Sequence, residues 1–315
     1  MKWNLGWKNS TAMKKSIWLL MVIPFLSGSL PVAKTQTIRQ YKEKRPTIDS
    51  CISLCFGDLV FTVAPQKGGR ILSFKKAGKE VLASDTVHPL YYGATLWLSP
   101  QSAYWPQYSV MDLLPYQLES TSKSIRLTSP VDQGIQVIKE FSVSKADTSI
   151  AICYTIRNAS GPSKKLAPWE VTRVLGGCSF FPVGAPGVSA QSDISGTVTE
   201  NGILWLPPTG AGNKKGQKLF SGIKEGWIAH YYNGLLLVKC FPEVPQKDLP
   251  PGQGAAEIYV APMGRYRELE NHGKYSNVQP GQYLQYHEKW LLRNVGHQTK
   301  ETLLSIVAAL NKKIK

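Results

Sequence analysis

Residues 68–82, GGRILSFKKAGKEVL, are the stretch that decides the fold class. The β-rich segment GGRILSF is followed by the turn KKAGKE and then by VLAS, and a glycine within such a turn is typical of a β-hairpin. The segment before it, LVFTV at residues 59–63, is also rich in β-branched and aromatic side chains. The folded part of the chain is therefore predicted to begin with antiparallel strands.

Short β-like segments separated by turns continue from this hairpin to residue 293. Asn-Gly pairs at 201–202 and 233–234 mark two further hairpin turns. A spacing of about 8 to 15 residues per strand predicts a large antiparallel sandwich or barrel. No repeat of about 20 to 50 residues is visible, which argues against a solenoid or a propeller.

Length and composition fit one large folded domain. The chain has 315 residues, of which 43% are hydrophobic, and this excludes disorder for most of its length. No linker divides residues 51–297, so they are predicted to form a single domain. Residues 298–315 place apolar side chains at helical spacing and predict a C-terminal helix.

The N-terminus has the order of a secretory signal. Lys14 and Lys15 precede an apolar run at 17–26, and small residues follow it. The run is shorter than the roughly 20 apolar residues that a membrane-spanning helix needs. We expect a signal peptide over residues 1–35 and a polar tether over 36–50. The expected product is an exported protein, periplasmic or extracellular, that is not transmembrane once the signal is removed.

The positive charge does not indicate a nucleic-acid partner. The formal net charge is +16, and loss of the five lysines in residues 1–35 lowers it to +11. The other lysines occur largely in pairs on turns, and neither an Arg-rich stretch nor an aromatic RNA-binding motif occurs.

The order of motifs resembles that of the galactose mutarotase-like superfamily (aldose 1-epimerase-like), and within it an exported bacterial branch. The resemblance covers most of residues 55–293. The matching segments are GGRILSFKKAGKEVL, YYGATLWLSPQSAYW (91–105), APWEVTRV (167–174), AEIYVAP (256–262), YRELENHG (266–273) and VQPGQYLQYHEKWLL (278–292). The implied fold is a β-supersandwich of two large antiparallel twisted sheets that binds a sugar on its concave face.

The resemblance also implies acid/base residues. Glu270 matches the carboxylate that serves as the base in mutarotases, and Glu268 is on the same strand face. The histidine motif that supplies the acid in mutarotases is absent, and APWEVTR stands in its approximate place. Glu170 or His272 is then the candidate acid. The alternatives from the residues alone are a solvated strand edge for ELE, with Arg265 and Arg267 as partners, and a surface ion pair between Glu170 and Arg173.

Aromatic and polar residues in the matching segments are candidate sugar contacts. Tryptophan rings can stack on the C–H groups of a pyranose, and amide, guanidinium and carboxylate groups can bind its hydroxyls. A position in the core of the sandwich is the alternative for each tryptophan. The candidate substrate-binding residues are Arg70, Trp97, Gln101, Trp105, Trp169, Arg173 and Glu268.

No motif for a metal or another cofactor occurs. The five histidines lack the spacing of a metalloprotease site, and Cys51 and Cys55 have no second pair to complete a zinc site. Two carboxylates on one face, Glu268 and Glu270, could bind a cation such as Ca²⁺.

The leading hypothesis is a carbohydrate-active protein that performs epimerase-type chemistry on an aldose or sugar acid, with Glu270 as base. A non-catalytic carbohydrate-binding module that uses the same concave face is the alternative, favoured by the missing histidine motif. A glycan lyase or hydrolase is a third hypothesis, since related sandwiches occur within such enzymes.

Overall fold

The computed structural model describes residues 51–184, 191–192, 194–208 and 214–312. The signal peptide and tether expected at residues 1–50 lie outside the described residues, as do the last three residues of the expected C-terminal helix. The described part confirms the all-β prediction, because its strands form two large antiparallel sheets. None of its helices has the length and apolar character needed to cross a membrane.

The first sheet has eleven strands and carries the residues discussed below as a site. Its strand order is β1-β2-β3-β5-β10-β19-β18-β15-β12, with β4 beside β3 and β20 beside β10. The strands are β1 (Ile52–Phe56), β2 (Leu59–Ala64), β3 (Arg70–Lys76), β4 (Lys79–Glu80), β5 (Ala94–Ser99), β10 (Lys164–Val174), β12 (Gln191–Ser192), β15 (Gln217–Ser221), β18 (Ala256–Val260), β19 (Arg267–His272) and β20 (Ser276–Val278).

The second sheet has ten strands in the order β13-β14-β11-β16-β17-β21-β9-β8-β7-β6. These are β6 (Gln117–Ser120), β7 (Ser124–Thr128), β8 (Ile135–Ser144), β9 (Ser149–Asn158), β11 (Cys178–Pro182), β13 (Val198–Glu200), β14 (Ile203–Leu206), β16 (Trp227–Tyr232), β17 (Leu235–Cys240) and β21 (Tyr283–Asn294).

Hairpins form at the three predicted turns, but the second strand of the first one is Lys79–Glu80 and not the predicted VLAS, where Leu82 makes one isolated bridge to Val174. β3 and β4 pair across Ala77 and Gly78, both of which have positive φ angles. Asn201-Gly202 connects β13 to β14, and Asn233-Gly234 connects β16 to β17. All four of these residues also have positive φ angles, as a two-residue hairpin turn that matches the strand twist requires.

The core lies between the two sheets. Phe61 is at its centre, with ring centroids 5.6 Å from Phe74, 5.3 Å from Phe141 and 6.3 Å from Trp290. Phe61 and Phe74 belong to the first sheet, and Phe141 and Trp290 belong to the second. Edge-on contacts between such rings are favourable beyond the area they bury, so this cluster joins the sheets firmly.

Three helices accompany the sheets in the described residues. The helix expected near the C-terminus is confirmed as α3 (Lys300–Lys312), whose Leu303 and Val307 are buried. Two short helices, α1 (Gln101–Tyr104) and α2 (Ser109–Asp112), follow β5 and were not predicted. They matter for the site because the chain passes from α1 through Trp105 on its way to α2.

Candidate functional site

Five neighbouring strands of the first sheet, in the order β5-β10-β19-β18-β15, place polar and aromatic side chains on one face. Strand alternation sends Trp169 and Arg173 of β10 to this face and sends Glu170 to the opposite face, toward the second sheet. Cross-strand register then aligns Trp169 with Trp97 and His272. Glu270 pairs in the same way with Glu257.

A cavity of about 360 Å³ opens on this face, and we call it the aromatic pocket. Its lining residues are Tyr91, Trp97, Gln101, Trp105, Trp169, Lys218, Phe220, Tyr259, Tyr266 and Glu268. Five of the predicted substrate-binding residues are among them: Trp97, Gln101, Trp105, Trp169 and Glu268. The two others, Arg70 and Arg173, lie behind the lining.

The indole rings of the pocket support one another. The ring centroid of Trp97 is 4.8 Å from that of Trp105 and 5.2 Å from that of Trp169, both at steep angles. Trp97 donates its Nε1–H to Oδ2 of Asp112 at 2.8 Å. Trp105 is 42% exposed, whereas Trp97 and Trp169 are buried, so Trp105 is the tryptophan that a ligand reaches most easily.

Arg70, predicted as a sugar contact, is buried and is not among the residues that line the aromatic pocket. Its guanidinium donates to Oδ1 of Asp112 at 3.0 Å and to the carbonyl of Tyr92 at 2.9 Å. Asp112 also accepts from the indole of Trp97, so this carboxylate links Arg70 to a ring that lines the pocket.

Arg173 is fully buried beneath the aromatic rings. Its Nε donates to Oε1 of Glu268 at 2.8 Å, and its Nη1 donates to Oγ1 of Thr95 at 3.0 Å. The guanidinium also lies 4.8 Å from the centroid of Trp97. Arg173 therefore positions Glu268, whose carboxylate reaches the pocket, and does not line the pocket itself.

Glu270 lies under the pocket, fully buried and closely bound. Trp169 donates its Nε1–H to Oε2 of Glu270 at 2.8 Å, and the Lys218 ammonium donates to both oxygens at 2.7 and 2.8 Å. Lys218 also lies 2.9 Å from Oε2 of Glu257. Burial raises the pKa of Glu270 to about 7. Burial disfavours the ammonium of Lys218, but Glu270 and Glu257 raise the pKa of Lys218 above its ordinary value, so it stays cationic.

His272 stacks behind Trp169 and does not line the pocket. The two ring centroids are 5.4 Å apart and the planes nearly parallel, at 18°. The imidazole Nε2 lies 3.1 Å from Oε1 of Glu257, which also accepts from the backbone N–H of Gly254 at 2.9 Å. Burial alone would raise the pKa of Glu257, but His272 and Lys218 lower it to about 2.

Glu257, Glu270 and His272 are a set of potential metal ligands, whose donor atoms lie within 4.8 Å of one another. Lys218 already supplies a positive charge to both carboxylates of this set. Glu268 and Glu270, the two carboxylates predicted as possible Ca²⁺ ligands, form separate ion pairs: Glu268 pairs with Arg173, and Glu270 pairs with Lys218. Each carboxylate in the cluster thus has a basic side chain of the protein as its partner.

Glu170 is not part of this constellation. Its carboxylate is fully buried between the sheets, where it accepts a hydrogen bond from Thr172 at 2.9 Å and pairs with the Lys239 ammonium. Lys239 in turn donates to Oδ1 of Asn271 at 2.7 Å. The alternative of a surface pair with Arg173 is also wrong, because the two side chains are on opposite faces of β10.

The alternative of a solvated edge for ELE is wrong as well. Glu268 and Glu270 are buried, and their partners are Arg173 and Lys218. Arg267 points to the other face of the sheet, where it donates to Oγ of Ser179 at 2.8 Å. Two charged side chains of the site, Lys218 and Glu257, were not predicted, and neither were the lining rings of Tyr91, Phe220, Tyr259 and Tyr266. A single acid within the apolar strand AEIYV was the available signal for Glu257.

A larger cavity of about 750 Å³ lies along the second sheet beside α3. Among the described residues, Phe241 and His287 are the aromatic side chains of its lining, and Glu140, Glu225 and Glu243 also line it. Drug-sized and cofactor sites are mostly apolar or aromatic, with a few convergent polar groups. The aromatic pocket fits that description better and is lined by five of the seven predicted substrate-binding residues, so we take it as the candidate site.

The fold is shared with several solved structures. A putative aldose 1-epimerase from Escherichia coli K12 aligns with a TM-score of 0.52 and 13% identity, over 77% of this chain and 98% of that chain. A galactose mutarotase related enzyme from Lactobacillus acidophilus aligns with a TM-score of 0.53 and 10% identity, over 79% of this chain and 99% of that chain. A putative mutarotase from Salmonella typhimurium aligns with a TM-score of 0.51 and 12% identity, over 79% of this chain and 92% of that chain. At these identities the likeness shows the fold alone, a fold that this chain shares with these three structures.

Sequence comparison adds the family. No curated protein matches the chain. A family model described as Domain of unknown function (DUF4380) matches residues 117–293, which include Trp169, Lys218, Glu268 and Glu270. Because this match spans more than half of the sequence, the chain belongs to the DUF4380 family, on a galactose mutarotase-like fold.

Proposed function

We propose that this protein binds a carbohydrate in the aromatic pocket. The observation that carries the proposal is the convergence of the rings of Trp97, Trp105 and Trp169 with those of three tyrosines around one cavity. Flat rings offer apolar faces to the C–H groups of a pyranose. A volume of about 360 Å³ is near the lower end of known ligand sites, which suits one sugar unit.

The polar groups of the pocket suit hydroxyl groups. Arg173 engages Oε1 of Glu268, and the carboxylate retains acceptor capacity for a ligand hydroxyl. Burial raises the pKa of Tyr266 and Tyr259, so both phenols are neutral donors and acceptors at pH 7. Lys218 and Glu268 are the charged lining residues and have opposite signs, which favours a neutral sugar.

The likeness to structures named as aldose 1-epimerase and mutarotase agrees with this proposal at the level of the fold. The strands that carry Trp169, Glu268 and Glu270 are central in the first sheet, and the cavity lies over them. A sugar ligand is therefore the interpretation that joins the fold with the chemistry of this pocket.

Epimerase chemistry is the second candidate, with Glu270 as base. A carboxyl with a pKa of about 7 can exchange protons at neutral pH, and the adjacent ammonium of Lys218 is a donor. However, Lys218 binds both oxygens of Glu270, and His272 is stacked behind Trp169. Proton transfer to a sugar would require Lys218 to leave Glu270, so the observed geometry favours binding over catalysis.

The test is NMR on the full chain with glucose, galactose, N-acetylglucosamine and glucuronic acid. Saturation transfer from the protein reports binding, and exchange between the two anomers reports catalysis. Trp105→Ala removes an exposed ring of the pocket and should abolish saturation transfer. Tyr283→Ala removes an exposed ring on β21 of the second sheet and is the matched control.

Saturation transfer that Trp105→Ala abolishes and Tyr283→Ala preserves would support the proposal. Enhanced anomer exchange that is lost in Glu270→Gln would move the conclusion to the epimerase. Equal saturation transfer in the wild type and Trp105→Ala would remove the aromatic pocket as the site.

We also propose that the protein is exported, because a basic segment precedes the apolar run at residues 17–26. N-terminal sequencing of the protein from the producing cells should give a first residue at about position 28 to 37, as usual signal lengths imply. Recovery of the chain with Met1 intact would contradict export by this route.

A further inference from the structure

A second cavity adjoins the aromatic pocket, and we call it the side cleft. It has a volume of about 710 Å³, and it shares Gln101, Trp105 and Phe220 with the aromatic pocket. The side cleft is completed by Ser102 of α1 and by residues 251–253. Because three side chains contribute to both cavities, a ligand in one is next to a ligand in the other.

The boundary between the cavities is held by a buried side chain. Gln253 is 7% exposed, and its Oε1 accepts the backbone N–H of Gln101 at 2.8 Å. Its Nε2 donates to Oε1 of Glu257 at 2.9 Å. Gln253 thus joins the start of α1 to the carboxylate cluster under the aromatic pocket. This link fixes α1, and with it the approach to Trp105, in relation to the sheet.

The lining of the side cleft differs from that of the aromatic pocket in charge. It contains the amides of Gln101 and Gln253, the hydroxyl of Ser102 and the rings of Trp105 and Phe220, and none of the described residues that line it is charged. Amides and hydroxyls bind sugar hydroxyls by paired donors and acceptors, and rings pack on the sugar's C–H face. This is a suitable surface for a neutral sugar unit.

We propose that the two cavities form one groove and that the ligand is a neutral oligosaccharide of at least two units. One unit occupies the aromatic pocket, and the adjoining unit occupies the side cleft. The exposed ring of Trp105 contacts both units, since it lines both cavities. This inference rests on the proposed carbohydrate function and extends it from a single sugar to a glycan chain.

The experiment begins with binding of the full chain to a glycan array. The array carries mono- to tetrasaccharides of hexoses, N-acetylhexosamines and uronic acids. The members of the series that bind most strongly are then titrated in solution by calorimetry. We expect a disaccharide or longer glycan to bind at least tenfold more tightly than its monosaccharide.

Substitutions in the side cleft test whether the tighter binding of longer glycans arises there. Ser102 is exposed on α1, and Ser102→Trp places a bulky ring in the side cleft without touching the core. It should reduce the advantage of the longer glycan to less than threefold while leaving monosaccharide affinity unchanged. Pro251→Trp blocks the same cleft from an exposed position on its other wall, and it replaces Ser102→Trp if that variant does not fold. Ser122→Trp, exposed in the turn between β6 and β7, is the matched control.

The outcomes separate the two proposals. A length advantage that Ser102→Trp removes and Ser122→Trp retains supports the groove. Equal affinity for mono- and oligosaccharides, or an advantage that Ser102→Trp leaves intact, overturns the groove while the carbohydrate function stands. The absence of binding to every glycan of the array, monosaccharides included, overturns the carbohydrate function itself.

Discussion

Replacement of Lys218 by methionine should destabilise the protein strongly, because it removes the cation from a buried cluster. The ammonium lies 2.7 and 2.8 Å from the oxygens of Glu270 and 2.9 Å from Oε2 of Glu257. Both carboxylates are fully buried and occupy facing positions on β19 and β18. Lys218→Met would leave them next to each other without their ammonium partner.

The expected loss in unfolding free energy is about 3–5 kcal/mol at pH 7.5, the usual cost of removing one partner from a buried ion pair. The loss should shrink as the pH falls toward 5, because a carboxyl without its cation has a higher pKa and becomes neutral. A domain stability of about 5–15 kcal/mol would still leave a measurable folded population.

Urea denaturation followed by tryptophan fluorescence at pH 7.5 and 5.0 measures these differences. Lys274→Met is the control, because the Lys274 side chain is 66% exposed and lies 3.5 Å from Asp248. Its cost should be below about 1 kcal/mol, as is common for exposed pairs. The double variant Lys218→Met, Glu270→Gln should recover much of the loss, since one of the two carboxylates is gone. A cost for Lys218→Met as small as that of Lys274→Met would show that the Lys218 ammonium does not stabilise the two buried carboxylates.

Three further predictions concern neighbouring groups. The pKa of Glu270 is raised to about 7 in the folded protein, so protonation of this carboxyl adds to the unfolding free energy. This contribution is complete below the usual glutamate pKa of about 4.3 and is lost as the pH rises through 7. In Glu270→Gln, the unfolding free energy measured with urea should no longer decrease between these pH values for this reason. A pH dependence equal to that of the wild type would contradict the raised pKa of Glu270. Glu170→Gln should leave saccharide affinity within about twofold of wild type in a titration, because Glu170 lies on the opposite face of β10 and pairs with Lys239 between the sheets. A larger loss of affinity would place Glu170 in the binding site. Asp112→Ala should weaken saccharide binding in the same titration although Asp112 does not line the pocket, because it frees the indole of Trp97. Unchanged affinity in Asp112→Ala would show that Asp112 does not position the ring.

The strands were predictable because their signals are local. Hairpin turns such as Asn201-Gly202 and Asn233-Gly234 need backbone angles that few residues adopt, so their sequence marks their position. The short helices α1 and α2 lack such signals. Each has four residues, and neither begins with a side chain that caps it.

The site was predictable in part, again for physical reasons. Strand alternation correctly places Glu268 and Glu270 on one face, since the side-chain period of two holds throughout β19. The same period, applied to β10, separates Trp169 and Arg173 from Glu170, so Glu170 could have been assigned to the opposite face from the sequence. The prediction that all three residues belong to one site did not take this alternation along β10 into account.

The pairing of charges could not be predicted, because it depends on strands distant in the chain. Lys218 meets Glu270 only because β15, β18 and β19 are neighbours, and nothing local in the sequence specifies that order. Arg70 was assigned to the sugar for a related reason. Its guanidinium instead binds Asp112, which is 42 residues away in the sequence.

The most direct test of the central claim is ¹⁹F NMR of the full chain labelled with 5-fluorotryptophan, titrated with the saccharide that binds most tightly on the array. Phenylalanine substitutions assign the resonances. We expect saturable shifts for Trp97, Trp105 and Trp169, which line the aromatic pocket, and none for Trp227 and Trp290, which do not. Shifts confined to tryptophans outside the pocket, or no shift in any of the three, would contradict a carbohydrate site on this face of the sheet.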